Sequence, residues 1–464
     1  MEIRGSGAAG PDQSGGFSVV LAERVLRLAG SLGLVEQWRP LGFGHPSRRA
    51  TAYRTDQRVA AVLAGLACGL RGIAPGNLLL RPNSALRQRL GGRFPDQGTV
   101  HRWLAQVTED QVAGLRSHLH GAVRQHGRFW RELWSGRRLV VDIDGQGLVA
   151  RGRRFERAHG GYFGGGMDRG YQRYVCSAGV TGEVLDELLL PGNVTAMSAL
   201  PEILRGLNEV IPADYRGRVV LRGDAHFGTA ANLVRMRAAG YHYLCPLYSH
   251  WSKQKLTKRV QGRRGRWFEA RDSTGRVRHL QYWRVRRWRL TSKGGRGEAR
   301  PRATVYREAL PDGQEFWFVL LTDLSSGSAP RLWAEYCQRG GTIEEYNDQS
   351  ERAYHLEVMR TSSFAGLNAI QCLVGLCWNL TRWATEELTL PPPLAPAADP
   401  AAWVLATTLD LTQLMQRAQH SGLRLYRPNA NGLLEVEDTA ATVESQAWLR
   451  FLRQPVQLRL RLTG

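Results

Sequence analysis

The chain holds 464 residues, 43% of them hydrophobic, and 63 Lys and Arg against 41 Asp and Glu leave a formal charge of +22. That length outgrows one hydrophobic core and predicts roughly two to four domains. No stretch reaches the ~18–20 unbroken apolar residues of a membrane span, six scattered cysteines form no CxxC pair, and the opening MEIRGSGAAGPDQSGG lacks a secretory apolar core, which speaks against a membrane protein, a zinc or disulfide scaffold and a secreted protein and for a reducing cytoplasm.

Residues 1–16, rich in Gly and Ser, read as a disordered tail. Residues 17–135 are helical in pattern. VVLAERVLRLAGSLGLV and DQRVAAVLAGLACGLRG repeat apolar residues at three and four, the second behind a Thr55-Asp56 cap. PDQGTVHRWLAQVTEDQVAGLRSHL predicts a third helix starting at Thr99, with Arg102 and Trp103 early on it. Exposed Arg, His and Trp on such a helix suit DNA reading, and a plain helical bundle accounts for the same residues.

From residue 136 the texture becomes α/β. RRLVVDIDGQGLVARG predicts a buried strand, and YQRYVCSAGV and VLDELLLPGN predict a hairpin turning at Thr181-Gly182. A helix (ALPEILRGLNEVI), a strand (VVLRGD), a helix closed by Gly240 and a strand (YHYLCPLY) follow. Strands first in a hairpin and then alternating with helices imply a mixed sheet flanked by helices. The Gly-rich GGYFGGGMDRG does not join a strand to a helix as a phosphate cradle must.

Residues 251–309 break the alternation. Residues 251–300 hold 17 Lys and Arg against three acids, with Trp267, Tyr282, Trp283 and Trp288 between them. This reads as a basic β insertion turning at Ser273-Thr274-Gly275, fit to meet a polyanion. EFWFVLLTDL restores a core strand, and helices run to residue 387. Residues 388–464 form a Pro/Ala linker and a small C-terminal region, to which the sequence assigns no function.

Two strands end on acids. Asp142 and Asp144 in VVDIDG lie two apart and share a strand face, where Asp is disfavoured unless paired or ligating a cation. Asp224 closes VVLRGD. It reads as a cap for the helix that starts near Thr229 or as a metal-binding carboxylate; the Arg222-Gly223-Asp224 tripeptide of adhesion proteins would need secretion. A third acid is expected from the helix predicted over YCQRGGTIEEYNDQSER (336–352), as Glu344 or Glu345. Three converging carboxylates are tolerable around divalent cations, and oxygen-only ligands suit Mg²⁺ or Mn²⁺.

DIDG, RGDAHFG and Tyr336-x2-Arg339 followed by IEE and a basic residue together resemble the core of insertion-sequence DDE transposases with a YREK-type signature, most of all the IS-thirteen-eighty group. The stretches LLLPGN and LEVMRTSSFAGLNAIQCLVGLCWNL match that group's style, and the resemblance runs over residues 20–385. It implies an RNase H-like catalytic domain over 136–250 and 310–387, and two-metal phosphodiester cleavage with strand transfer. The implied partners are transposon inverted-repeat ends and target DNA, bound by a homodimer in the bacterial cytoplasm at the nucleoid, with no membrane partner. Asp144, Asp224 and Glu344 match the three acids, with Asp142 and Glu345 as alternatives. Tyr336 and Arg339, with Arg352, match residues that contact DNA, and Arg284, Arg286, Arg287 and Arg289 of the insertion are the expected phosphate anchors. His226, two after Asp224, is a candidate for proton transfer.

Four residues separate Arg339 from Glu344 where the pattern has three, and counting back from Arg352 selects Glu345. Two rival readings therefore stand: a non-cutting DNA-binding descendant, and an RNase H-like nuclease without strand transfer.

Overall fold

The computed structural model describes residues 2–3, 18–41, 53–163, 166–271, 277–291, 298–310, 312–341, 343–358, 360–386, 388–390, 404–405, 410–421, 423–428, 434–438 and 442–453. The chain forms two compact units: Met1–Ala122 with Ala150–Arg157 and Asp348–Gly464, and Val123–Val149 with Ala158–Asn347.

The first unit opens with α1 (Val20–Ser31), α2 (Thr55–Ala67), α3 (Gln97–Gln106) and α4 (Glu109–His126), joined through shorter helices. On α1 the apolar Val20, Leu21, Val25, Leu26 and Leu28 are buried, the stripe that a 3.6-residue repeat turns inward. α2 and α3 are capped slightly before the expected positions. The Gln57 side chain accepts from the Arg54 N–H at 2.8 Å, so α2 is capped from Arg54, and Asp56 instead pairs with Arg39 and Arg54. Asp96 accepts from the Thr99 N–H at 2.8 Å and so caps α3, with Thr99 inside the first turn. Trp103, expected on an exposed face, is buried with Val100 and Leu104, because it shares their inward stripe.

The second unit is built on a ten-stranded sheet. In chain order its elements are β1 (Leu139–Val149), β2 (His159–Phe163), β3 (Gly166–Ala178), β4 (Val184–Pro191), α5 (Ala196–Val210), β5 (Val219–Gly223), α6 (Ala230–Ala238), β6 (His242–Pro246), α7 (His250–Val260), β7 (Arg266–Arg271), β8 (Val277–Val285), β9 (Arg302–Ala309), β10 (Glu315–Thr322) and α8 (Ala329–Cys337). The strand order is β2-β3-β1-β5-β6-β10-β9-β8-β7, with β4 also on β3. β3 runs antiparallel to both of its neighbours β1 and β4, whereas β1, β5 and β6 run parallel. Three antiparallel strands followed by two parallel ones, in the order β4-β3-β1-β5-β6 with helices as crossovers, are the RNase H-like arrangement. Every residue of β5 is buried, as a parallel strand covered on both faces requires.

Two glycines are demanded by close approach. A Cβ on Gly145 would lie 2.8 Å from the Tyr174 ring on β3, and one on Gly170 would fall on the Leu148 carbonyl oxygen. Both hold β1 and β3 close beneath the acids.

Residues 251–309 are β-rich as expected, but they open with a helix that was not expected from the sequence. His250–Val260 is a helix, capped by Ser249, which accepts from the Ser252 N–H at 3.2 Å. Its buried Ser252, Leu256 and Val260 stand four apart, an α-helical spacing that the dense Lys and Arg obscure in the sequence. β7, β8 and β9 then extend the main sheet through β10. Phe268, Leu280, Tyr282 and Tyr306 pack with Trp333 of α8 in one apolar cluster. The turn expected at Ser273-Thr274-Gly275 lies outside the described residues.

The helix expected over 336–352 is broken. α8 ends at Cys337, a 3₁₀ turn spans Gln338–Gly341, and α9 (Ile343–Tyr354) begins beyond it. Two adjacent glycines make an uninterrupted helix costly here.

In the first unit, α10 (Phe364–Ala384) packs against α1, α2 and α3. It is long and apolar enough to cross a membrane by length and composition, and 89% of its most apolar window is buried inside the protein. The helical unit thus draws on both ends of the chain, unlike the continuous 17–135 domain expected. α11 (Leu411–Gln419), β11 (Leu423–Pro428), β12 (Leu434–Asp438) and α12 (Val443–Arg453) complete it. Glu2–Ile3 adds to β12 in parallel, so part of the expected disordered tail is a strand; residues 4–16 lie outside the described set.

Candidate active site

The parallel register of β1 and β5 sets Ile143 opposite Gly223. The next residues, Asp144 within β1 and Asp224 just past the end of β5, therefore stand side by side at the C-terminal end of β5, the end at which open α/β sheets carry their sites.

Asp142 and Asp144 share a face of β1 but differ in circumstance. Asp142 is fully buried and bonded by Arg222, Nε to Oδ1 and Nη2 to Oδ2 at 2.7 Å. Arg222 also reaches the Glu335 carbonyl of α8. This carboxylate serves a structural ion pair.

Asp144 faces the 3₁₀ turn and α9. Its Oδ1 is bonded by the Arg339 guanidinium, and its Oδ2 accepts from the Asn347 amide at 2.8 Å. Arg339, only 8% exposed, also donates to Glu344 Oε1 at 2.7 Å. One guanidinium thus bridges the first and third acids. The glycine break allows this: Arg339 sits in the turn and folds back on the first residues of α9.

Burial pushes the Asp144 carboxyl above its usual range, Arg339 pulls it back, and Asp224 and Glu344 push it up again. Burial opposes the charge on Arg339, but Asp144, Tyr336, Glu344 and Asp224 outweigh that and raise it. Asp144, Asp224, Glu344 and Arg339 therefore form one electrostatic cluster. Glu345 is exposed and adjacent to Glu344 on α9, about 100° around the helix. Glu344 and Asn347, three apart, share the face toward Asp144.

Asp224 accepts from the His226 N–H and meets His226 Nδ1, both at 2.9 Å. It caps the 3₁₀ turn Ala225–Phe227, while Thr229 caps α6 by accepting from the Asn232 N–H. The hydrogen bond to Asp224 raises the His226 imidazole above its ordinary value. Tyr336, at the end of α8, is half-buried against Phe318, and burial raises its phenol well above the usual range.

A polar cleft of about 750 Å³ opens beside Asp224, its lining including Gly145, Gln146, Gln172, Tyr174, Asn193 and His226.

Arg352 lies in the helical unit, where it pairs with Asp348 and, at 3.2 Å, with Asp410. Arg284, Arg286 and Arg287 are exposed on β8 and the bend after it, and Arg289 pairs with Glu298 at 3.0 Å.

Sequence reasoning missed the support behind Asp144. Arg173 of β3, fully buried, donates to Glu187 of β4 at 2.6 Å, to Gln146 at 3.0 Å and to the Tyr346 hydroxyl at 2.9 Å, and Tyr346 donates to Glu187 at 2.8 Å. Arg173 Nη1 also faces Asn347 at 3.5 Å. Glu187 within VLDELLLP is an acid inside a buried strand, the signal that singled out Asp142 and Asp144.

Among the described residues, no group of three His, Cys, Asp or Glu side chains stands ready to hold a metal ion. The donor chemistry nevertheless fits a hard cation: three carboxylates are electrostatically coupled, two of them bonded by one guanidinium, and all their donor atoms are oxygens.

No curated protein matches this chain significantly. Among solved structures, the piggyBac transposase synaptic complex with hairpin DNA is similar at 11% identity and a TM-score of 0.41, over 95% of this chain and 83% of that one. The family model described as Transposase DDE domain group 1 matches residues 28–390. With most of its length inside that match, the chain belongs to the DDE-domain transposases of group 1.

Proposed function

We propose that the protein is a DNA transposase of the insertion-sequence type, with the YREK-like arrangement of the IS-thirteen-eighty group. It binds the inverted-repeat ends of its element, cleaves phosphodiester bonds there and joins the freed 3′-OH ends to target DNA. The observation that carries this reading is the cluster itself: Asp144, Asp224 and Glu344 are coupled around one guanidinium at the edge of an RNase H-like sheet.

Asp144, Asp224 and Glu344 would hold two Mg²⁺ or Mn²⁺ ions, which when bound supply Lewis-acid activation of water and stabilisation of the leaving oxygen. The chain's own residues position the substrate. The Arg339 guanidinium suits bidentate capture of a phosphate. Tyr336, braced by Phe318, lines the approach to that phosphate. His226 is held by Asp224 on the same side as the cleft. Arg284, Arg286, Arg287, Arg289 and Arg352 anchor more distant phosphates. The chain acts as a homodimer on DNA in the bacterial cytoplasm.

The test is incubation of the purified protein with the DNA that flanks its gene, with Mg²⁺ or Mn²⁺ supplied. Strand cuts at paired repeats, followed by joining to a target plasmid, are expected. Asp224→Ala should abolish cutting and leave DNA binding intact. Cutting by Asp224→Ala would end the three-acid assignment. Binding without any cut in the unmutated protein would favour a non-cutting DNA-binding protein. Cuts without joining would favour a nuclease.

A further inference from the structure

Arg339 lies between Asp144 and Glu344, two of the three carboxylates that would hold a divalent cation. Both oxygens of Asp144 are engaged, Oδ1 by Arg339 and Oδ2 by Asn347, and the same guanidinium holds Glu344 Oε1. The clamp lies within one compact unit, with Arg339 at 8% exposure and Glu344 on its open side. A cation entering between Asp144 and Glu344 would face a like charge at contact distance, so the two cannot share these oxygens without one moving away.

We infer that Arg339 is a positioning residue that locks the acids against metal until DNA arrives, and that a substrate phosphate releases the lock; this rests on the three-acid reading above. The physical basis is a competition for one guanidinium. A phosphate offers it a bidentate, doubly charge-assisted pair, whereas Asp144 and Glu344 each offer a single bond to a different nitrogen. The 3₁₀ turn gives Arg339 room to change partner, since Gly340 and Gly341 follow it and a Cβ placed on Gly341 would meet nothing within 4 Å. Release opens Asp144 Oδ1 and Glu344 Oε1 to the cation, so DNA and metal bind with positive coupling. Linkage makes that coupling reciprocal: the metal tightens DNA by the factor by which DNA tightens the metal. The device keeps a two-metal hydrolytic centre unloaded until a substrate phosphate lies beside it.

The experiment measures Mn²⁺ affinity by electron paramagnetic resonance, with and without a pre-cut duplex carrying the element's end, so that no turnover intervenes. For the unmutated protein, DNA is expected to tighten Mn²⁺ by roughly 5–150-fold. Arg339→Gln should bind Mn²⁺ without DNA about as tightly as the unmutated protein does with it, and should gain little from DNA. Arg339→Lys keeps the charge but replaces the two-nitrogen fork with a single, shorter-reaching ammonium; its DNA-free affinity should rise in the same direction, and it carries the test if the Gln variant does not fold. An unmutated protein indifferent to DNA, or Arg339 variants with unchanged DNA-free affinity, would overturn the inference. Asp144→Asn and Asp224→Asn separate it from the underlying reading: if they retain full Mn²⁺ binding in both states, the three-acid site itself is wrong.

Discussion

Arg222 grips Asp142 with two hydrogen bonds, and both side chains are buried at the junction of two central strands. The pair is adjacent by register, Asp142 standing opposite Arg222 across β1 and β5. Removing one partner leaves the other as an uncompensated buried charge, which costs about 3–5 kcal/mol. Asp142→Ala should therefore lower the melting temperature sharply or prevent folding. Asp144→Asn removes the ion pair with Arg339 but also the repulsion from Asp224 and Glu344, and Arg339 keeps Glu344 as partner; it should lower the melting temperature far less than Asp142→Ala and should abolish strand cleavage. Thermal denaturation of the two variants side by side checks this; equal destabilisation would mean that both Asp are structural.

Asn347 donates to Asp144 at 2.8 Å and lies within 3.5 Å of Arg173. It couples the acid to a buried network that fixes its rotamer. Side chains that orient a ligand in this way typically contribute 10–100-fold to metal affinity or activity. Asn347→Ala should lower Mn²⁺ affinity by about that factor while far-ultraviolet circular dichroism stays native. Full Mn²⁺ affinity in Asn347→Ala would remove Asn347 from the site.

The central sheet was legible because alternation and turn residues report it directly: VVLRGD and YHYLCPLY become β5 and β6, and Thr181-Gly182 falls in the turn between β3 and β4. The acids were legible for a physical reason, since a carboxylate inside an apolar strand demands an explanation. The same reason applied to Glu187 and to Arg173, but their partners come from β4 and α9, and cross-strand pairing is not readable without the register. His250–Val260 was misread because Lys and Arg crowd its exposed face and only every fourth residue is buried. The break at Gln338–Gly341 accounts for the irregular spacing after Arg339: Tyr336 and Arg339 do not share one α-helix, so counting along a continuous helix fails there.

His226 meets Asp224 at 2.9 Å, and this hydrogen bond raises the imidazole above its ordinary value of ~6.5. A raised value in the folded state means that the proton favours the fold. That contribution is fully present below the unfolded value and is lost as pH rises through the folded one. In the metal-free protein, the His226 ring protons should titrate with a midpoint above ~6.5 by nuclear magnetic resonance. Asp224→Asn should bring the midpoint down, and saturating Mg²⁺ should do the same by drawing on the Asp224 charge. A midpoint at or below the ordinary value in the unmutated protein would show that the contact is not kept in solution.

Glu344 and Glu345 are the sharpest discrimination the site offers. Both are exposed residues in the first turn of α9. Glu344 accepts from Arg339 at 2.7 Å and, in step with Asp224, acts on the charge of Asp144. Glu344 also shares its helix face with Asn347, whereas Glu345 is turned by about 100°. Gln keeps the shape of either side chain and removes its charge. Glu344→Gln should lose strand cleavage by several orders of magnitude. Glu345→Gln should lose far less, and its salt dependence of DNA binding should shift slightly, as for any surface acid near a polyanion. Cleavage of a labelled repeat-end duplex by the two variants, with Mn²⁺ affinity measured on the same samples, decides the matter. The reverse ranking would move the third ligand to Glu345 and require α9 to rotate when DNA binds. Equal and unimpaired cleavage would place the third acid outside this helix, and the Arg339 bridge would then be a structural ion pair alone.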